Sequence, residues 1–88
     1  MVSVTERAKE VLSEILIASG AGQGEGLRLM PRPDGIFVLT LDAELPGDQV
    51  VEYEGLKVLL IGIEYLRILD GKTIDCEGSE GEAILLVR

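Results

Sequence analysis

The chain has 88 residues, a length that supports one hydrophobic core and predicts a single domain over residues 1–88. Hydrophobic residues make up 47% of the chain and charged residues 27%, a balance that favours a folded protein over a disordered one. Eight Lys and Arg against 16 Asp and Glu give a formal net charge of −8, which disfavours nucleic acid and anionic membrane surfaces as partners.

The N-terminal segment predicts an amphipathic helix. Apolar residues recur at helical spacing from Ala8 to Leu16, and both Ser3 and Thr5 before them can cap a helix. Ser3 and Glu6 also have capping-box spacing. We find no secretory signal before this helix, because charged residues interrupt the segment early. Glycine then occupies every second position of residues 20–26, which predicts a flexible loop.

The remainder of the chain alternates short apolar runs with turn signals. The runs at 27–30, 36–41, 49–53 and 56–61 predict strands joined mostly by hairpins, and 72–77 and 82–88 predict two closing strands. Between them, residues 63–69 regain helical spacing and predict a short helical segment. The runs at 56–61 and 83–87 are apolar on both faces. We therefore expect either a sheet that folds back on itself or a second subunit to cover them.

The residues that could support chemistry are few. The chain has no histidine, which excludes Ser-His-Asp and Cys-His catalysis and removes the commonest zinc ligand. We predict no catalytic residue and no cofactor, and the only candidate metal ligand is Cys76. Its spacing from Ile74 predicts a small apolar side chain in the core, and the neighbouring acids disfavour its thiolate. A lone cysteine forms no intrachain disulfide, which fits a reducing cytoplasm.

Several strings resemble the A-type iron–sulfur carrier family, also called HesB-like or IscA-like. They are Val-Thr-Glu-Arg-Ala at 4–8, Gly-Leu-Arg-Leu at 26–29, the segment 48–59, and Leu-Arg-Ile-Leu-Asp-Gly-Lys-Thr-Ile-Asp at 66–75, followed by Glu-Gly at 77–78 and 80–81. The resemblance runs over about residues 2–88. It implies an α+β fold, a compact and mostly antiparallel β-sandwich with a flanking N-terminal helix, and it implies dimers or tetramers.

The chain departs from this family at the ligand positions. Members that carry clusters have one cysteine in a glycine-rich loop after the first strand and a Cys-Gly-Cys near a C-terminal tail. Here the loop reads Pro-Arg-Pro-Asp-Gly at 31–35, and the sequence ends at Arg88 before such a tail. A cluster is held by about four thiolates, so one cysteine supplies no equivalent set. No cluster ligand carries over to this chain.

Three functional hypotheses follow. The first is a non-enzymatic, degenerate relative of the carriers, cytoplasmic and homo-oligomeric, that binds another protein of the iron–sulfur assembly machinery. The second is a protein that binds iron or a cluster between subunits through Cys76 and carboxylates. The third is a small enzyme or ligand-binding module with a surface carboxylate site, for which Glu52 and Glu54, expected on one strand face, are an example.

Overall fold

The computed structural model describes residues 1–34, 36–78 and 83–88. The elements are β1 (Ser3–Val4), α1 (Glu6–Ala18), β2 (Glu25–Pro31), β3 (Phe37–Ala43), β4 (Gln49–Tyr53), β5 (Leu56–Ile61), α2 (Ile63–Leu69), β6 (Thr73–Glu77) and β7 (Ile84–Val87). The predicted N-terminal helix, the short helix and the α+β class are confirmed. Gly35 of the predicted turn, and Glu80-Gly81 and Glu82 near the last strand, lie outside the described residues. Neither helix of the described chain is long and apolar enough to cross a membrane.

The strands form two sheets. One has four strands in the order β3-β2-β5-β4, and the other has three in the order β1-β6-β7. The three hairpins β2–β3, β4–β5 and β6–β7 are antiparallel, as predicted. Parallel pairing joins β2 to β5 and β1 to β6. The fold is therefore mostly antiparallel, with each sheet completed by one parallel pair.

Thr5, and not Ser3, caps the helix α1. The backbone N–H of Ala8 donates to Thr5 Oγ1 over 3.1 Å, and Thr5 itself has an extended backbone. Ser3 pairs with Thr73 in the short strand β1, so the predicted capping box does not define the start of the helix. A strand of two residues has no measurable periodicity, which is why the sequence did not reveal it.

The buried side of α1 and the central strand β5 build the core. The helix contributes Ala8, Val11, Leu12 and Leu16, and all residues of β5 from Val58 to Ile61 are fully buried. In β5, Leu60 is directly opposite both Arg28 and Val50, so it faces away from the helix-side core. The chain thus covers both faces of β5 by itself, so the run at 56–61, one of the two that are apolar on both faces, needs no second subunit to bury it. In the other, β7, Ile84 at the start remains exposed.

Gly26 permits the close contact between β2 and β5. A Cβ atom at this position would lie 2.5 Å from the carbonyl oxygen of Lys57 and 3.2 Å from Cγ of Leu60. The first distance is far below a van der Waals contact, and a backbone carbonyl in a sheet does not move aside easily. Glycine is therefore required here by space, whereas the sequence pattern suggested only loop flexibility.

Arg28 is a buried cation on the face of the sheet that it shares with Leu60. It is 6% exposed, and its Nη1 and Nη2 donate to the two carboxylate oxygens of Asp48 over 3.0 and 2.7 Å. Its Nε donates to Asp42 over 2.6 Å and its Nη2 to the Ala43 carbonyl over 3.0 Å. These bonds raise the pKa of Arg28 and hold the pKa of Asp48 and of Asp42 below the usual range. The cluster fastens the β3–β4 connection onto the sheet.

We expect Arg28→Met to lower the free energy of unfolding by about 2–4 kcal/mol, because it leaves the Asp48 carboxylate, whose side chain is 2% exposed, buried without its cation. Urea unfolding at pH 7, followed by circular dichroism, measures this loss. Lys57→Met is the matched control, since it removes the half-exposed Lys57–Glu44 pair of 3.1 Å and is expected to cost less than about 1 kcal/mol. Equal losses for the two variants would contradict the structural role of Arg28.

Candidate functional site

Cys76 lies in the middle strand of the three-stranded sheet. The strand β6 runs between β1 and β7, and Cys76 pairs with Leu85 of β7. The side chain is fully buried, as is that of Ile74 two residues earlier, in agreement with the spacing in the sequence. The only thiol of the chain is therefore part of the hydrophobic core.

The surroundings of this thiol disfavour the thiolate. Burial raises the pKa of the Cys76 thiol, and the negative charge of Asp75 raises it further. The opposing effect of the Arg7 cation is smaller. Metals bind the thiolate form of cysteine, so the environment of Cys76 works against ligation.

The neighbouring carboxylate, Asp75, is occupied by a network that joins β6 to the start of α1. Thr5 Oγ1 donates to Asp75 Oδ1 over 2.7 Å, and Arg7 donates to Oδ1 from Nε over 3.2 Å and to Oδ2 from Nη2 over 2.5 Å. The Cys76 N–H donates to Oδ1 over 2.8 Å, and Arg88 Nη2 lies 3.4 Å from Oδ2. The hydrogen bond from Arg7 is the main reason why the pKa of Asp75 lies well below its usual range. Asp75 thus acts as an anchor for the helix.

The described residues do not fit an iron–sulfur cluster. Within residues 1–34, 36–78 and 83–88, no group of three or more Cys, Asp or Glu side chains is placed to hold a metal ion. The loop where the carriers have a cysteine offers Asp34, which is 3.4 Å from Arg32 and accepts a hydrogen bond from the Ile36 N–H. One buried thiol and one exposed, paired carboxylate are not the donor set that a cluster needs.

In the part of the chain that the structure describes, no three carboxylates converge, and two close pairs, Asp42 with Asp48 and Asp75 with Glu77, are each bridged by an arginine. Glu52 is in β4, but Glu54 lies in the β4–β5 turn with φ at 50°, so the expectation that both share a strand face is wrong. Among the described Asp and Glu side chains, every displaced pKa is lowered by hydrogen bonds to cations, as at Asp70 beside the N-terminal amino group. A general acid poised near neutral pH requires the opposite shift.

An open cavity of about 270 Å³ lies between the end of α1, the glycine-rich segment and the β4–β5 turn. Glu25 is the acid among its lining residues, and its Oε1 accepts a hydrogen bond of 2.6 Å from the Gly22 N–H. The Glu25 N–H in turn donates to the Gly22 carbonyl over 3.1 Å. The segment predicted as a flexible loop therefore contains a hydrogen-bonded turn, and the cavity beside it offers no pair of acids.

Solved structures with the same fold include those of SufA and IscA. The crystal structure of Escherichia coli SufA, involved in biosynthesis of iron–sulfur clusters, has a TM-score of 0.72 and 21% identity, covering 99% of this chain and 83% of SufA. The crystal structure of IscA with the [2Fe–2S] cluster has a TM-score of 0.62 and 21% identity, covering 100% of this chain and 84% of IscA. The solution structure of an Aquifex aeolicus protein has a TM-score of 0.72 and 21% identity, covering 99% and 89% of the two chains.

The likeness to these proteins extends over the whole described chain and confirms the predicted resemblance at the level of the fold. No family model and no curated protein matches the sequence. At this identity the comparison establishes the architecture alone. The single cysteine of this chain is in keeping with a scaffold whose cluster motif is degenerate.

We expect Asp75→Asn to lower the free energy of unfolding at pH 7, because it removes the charge that binds Arg7 to β6. Since the pKa of Asp75 is lower in the folded chain than its ordinary value of about 3.9, this contribution is complete above that value and disappears as the pH falls further. The difference between the urea midpoints of the wild type and the variant, measured from neutral pH down to about pH 2, should narrow progressively once the pH is below about 4.

Asp34→Asn is the matched control for this experiment. It removes an exposed carboxylate paired with Arg32 and should leave the midpoint at pH 7 nearly unchanged. A difference between wild type and Asp75→Asn that stays constant over the whole pH range would show that charge pairing is not the cause.

Proposed function

We propose that this chain is a non-enzymatic relative of the iron–sulfur carriers that keeps their scaffold to bind another protein and does not hold a cluster by the usual three-cysteine site. The observation that carries this proposal is the position of Cys76. A fold seen in IscA with a [2Fe–2S] cluster here has one thiol, and that thiol is fully buried. Cluster ligation needs several accessible thiolates, which this scaffold does not supply. We therefore assign to the scaffold the binding of another protein.

The proposed setting is iron–sulfur cluster assembly. SufA, with which the chain shares its fold, is involved in biosynthesis of iron–sulfur clusters, and this supports an accessory role beside such proteins. The partner is then another protein of the assembly machinery. The lone free cysteine supports a location in a reducing cytoplasm.

Self-association is the second part of the proposal. Large apolar side chains are exposed on β3 and just before it, at Ile36, Val38 and Leu41. An acidic chain with a net charge of −8 would keep copies of itself apart except through such uncharged surface. The apolar edge therefore supports a homo-oligomer.

Anaerobic reconstitution with ferrous iron and sulfide tests the absence of cluster binding. We expect no stoichiometric cluster and no charge-transfer absorption, because the buried Cys76 is the sole thiol. IscA in the same reaction is the positive control, and Cys76→Ala, checked for folding by circular dichroism, should give the same background iron as the wild type. A brown wild-type protein whose colour is lost in Cys76→Ala would instead establish iron binding through this residue.

Calorimetric titration against purified assembly proteins from the same host tests the partner. We expect stoichiometric binding to at least one of them. Gly26→Val is the matched control, since its Cβ would collide with the Lys57 carbonyl and break the β2–β5 contact, so binding should be lost with the scaffold. If no component of the machinery binds the wild-type chain, the accessory role is disproved.

A further inference from the structure

The strand β3 is an unprotected edge of the four-stranded sheet. Proteins usually protect edge strands by keeping them short or by adding charges, prolines or bulges. The other outer strands follow this rule: β1 has two residues, β7 has four, and β4 has five with a register shift beside Glu52. In contrast β3 has seven residues in unbroken register with β2, and from Phe37 to Leu41 it has no charge and no proline.

The register of the hairpin shows which backbone groups of β3 point outward. The Arg32 N–H donates to the Ile36 carbonyl over 2.7 Å, so Arg32 and Ile36 form a hydrogen-bonded pair. In an antiparallel ladder hydrogen-bonded and non-hydrogen-bonded pairs alternate. Val38, Thr40 and Asp42 therefore bond to β2, whereas the N–H and C=O groups of Phe37, Leu39 and Leu41 point away from it.

The outward-pointing groups end sharply at Ala43. Its N–H donates to the Asp42 carboxylate over 2.8 Å, and its carbonyl accepts from Arg28 over 3.0 Å. Within the described residues, the sheet order gives β3 no neighbour other than β2. The free edge is thus a short row of three donors and three acceptors between Phe37 and Leu41, and within it Val38 and Leu41 are 38% and 37% exposed.

We propose that this edge pairs with the same edge of a second copy, antiparallel, about a two-fold axis through Leu39. This inference rests on the homo-oligomer of the proposed function and specifies its surface. Leu39 then pairs with Leu39 of the second copy and Phe37 with Leu41, so the outward groups of both strands meet in about six backbone hydrogen bonds.

The side chains are also self-complementary in this register. Phe37, Leu39 and Leu41 of both copies lie on one face of the joined sheet, while Val38 is opposite Thr40 on the other. Asp42 is opposite Ile36, so no acid faces an acid although each chain has a net charge of −8. The pairing places the uncharged part of β3 at the axis, where like charges would be most costly. A second copy satisfies both the backbone and the charge requirement, which identifies it as the occupant.

Charged residues introduced at positions 38 and 40 test this register. Sedimentation over a range of protein concentrations measures the dimer dissociation constant. Both side chains are exposed and lie on the face of the sheet opposite to Leu39. Because Thr40 is directly opposite Arg28 of β2, urea unfolding of each variant checks that the Arg28 cluster is retained. We expect the wild type to be a dimer, and both V38E/T40E and V38K/T40K to raise the dimer dissociation constant at least about tenfold, because each places like charges opposite one another twice. Circular dichroism confirms that each variant is folded.

Two complementary arrangements should restore the dimer. A mixture of V38E/T40E with V38K/T40K should form heterodimers, detected by native mass spectrometry, and V38E/T40K should dimerise alone because its opposite charges face each other across the axis. The pairing is overturned by a monomeric wild type, by like-charge variants that dimerise as well as the wild type, or by a mixture that stays monomeric. A monomeric wild type would overturn both this pairing and the homo-oligomer of the proposed function, whereas a dimer that the like-charge variants leave intact would overturn the pairing alone. The absence of cluster binding is measured separately by reconstitution.

Discussion

The buried guanidinium of Arg28 unites the two hairpins of the four-stranded sheet. It starts from β2, bonds to Asp42 on β3, and reaches Asp48 directly before β4. The two hairpins meet through the parallel contact of β2 with β5, and this contact depends on the missing side chain of Gly26. The guanidinium can be buried because carboxylates and a carbonyl accept its hydrogen bonds. A cation or a carboxylate buried here without the other would be strongly destabilising. The cluster also fixes the C-terminal end of β3, through the bonds of Arg28 to Asp42 and Ala43.

A second charged network, around Asp75, holds α1 on the other sheet. The same strand carries Cys76, whose thiol is buried. Asp75 receives hydrogen bonds from Thr5 and Arg7, so the cap of α1 and its first turn are held on β6. Successive residues of a strand face opposite sides of the sheet. In β6, Asp75 therefore faces Arg7 while Cys76 faces the core. Two acid–arginine clusters thus maintain a scaffold whose thiol is buried.

Much of the fold could be predicted because hydrophobic periodicity extends over most elements. Both helices and the strands at 49–53 and 56–61 lie where the sequence placed them. The strand β2 begins at Glu25, earlier than the predicted residue 27, because Gly24 and Gly26 look like loop residues while Gly26 in fact permits strand contact. The predicted strand at 82–88 is described as Ile84–Val87.

The charged clusters were not predictable from local patterns. Arg28 in an apolar strand was the available signal, since a lone cation there must find partners, yet its carboxylates lie in later segments of the chain. Thr5 and Arg7, which bond to Asp75, are even more distant, near the opposite end of the sequence. The burial of Cys76 could be predicted from the strand spacing, but the hydrogen bonds to Asp75 are visible only in the tertiary structure.

The three-stranded sheet has a consequence for the order in which the chain folds. Its central strand β6 is flanked by β1 and β7, the first and last strands described, and Thr73 and Arg88 exchange backbone hydrogen bonds of 2.8 and 3.0 Å. The four-stranded sheet is formed by a continuous stretch between Glu25 and Ile61, so its loops are short and close early. On the ribosome, this sheet can form before the residues of β6 that anchor the N-terminal helix have been synthesised. The apolar side of α1 can pack on β5 at that stage, whereas the bonds from Thr5 and Arg7 to Asp75 form later.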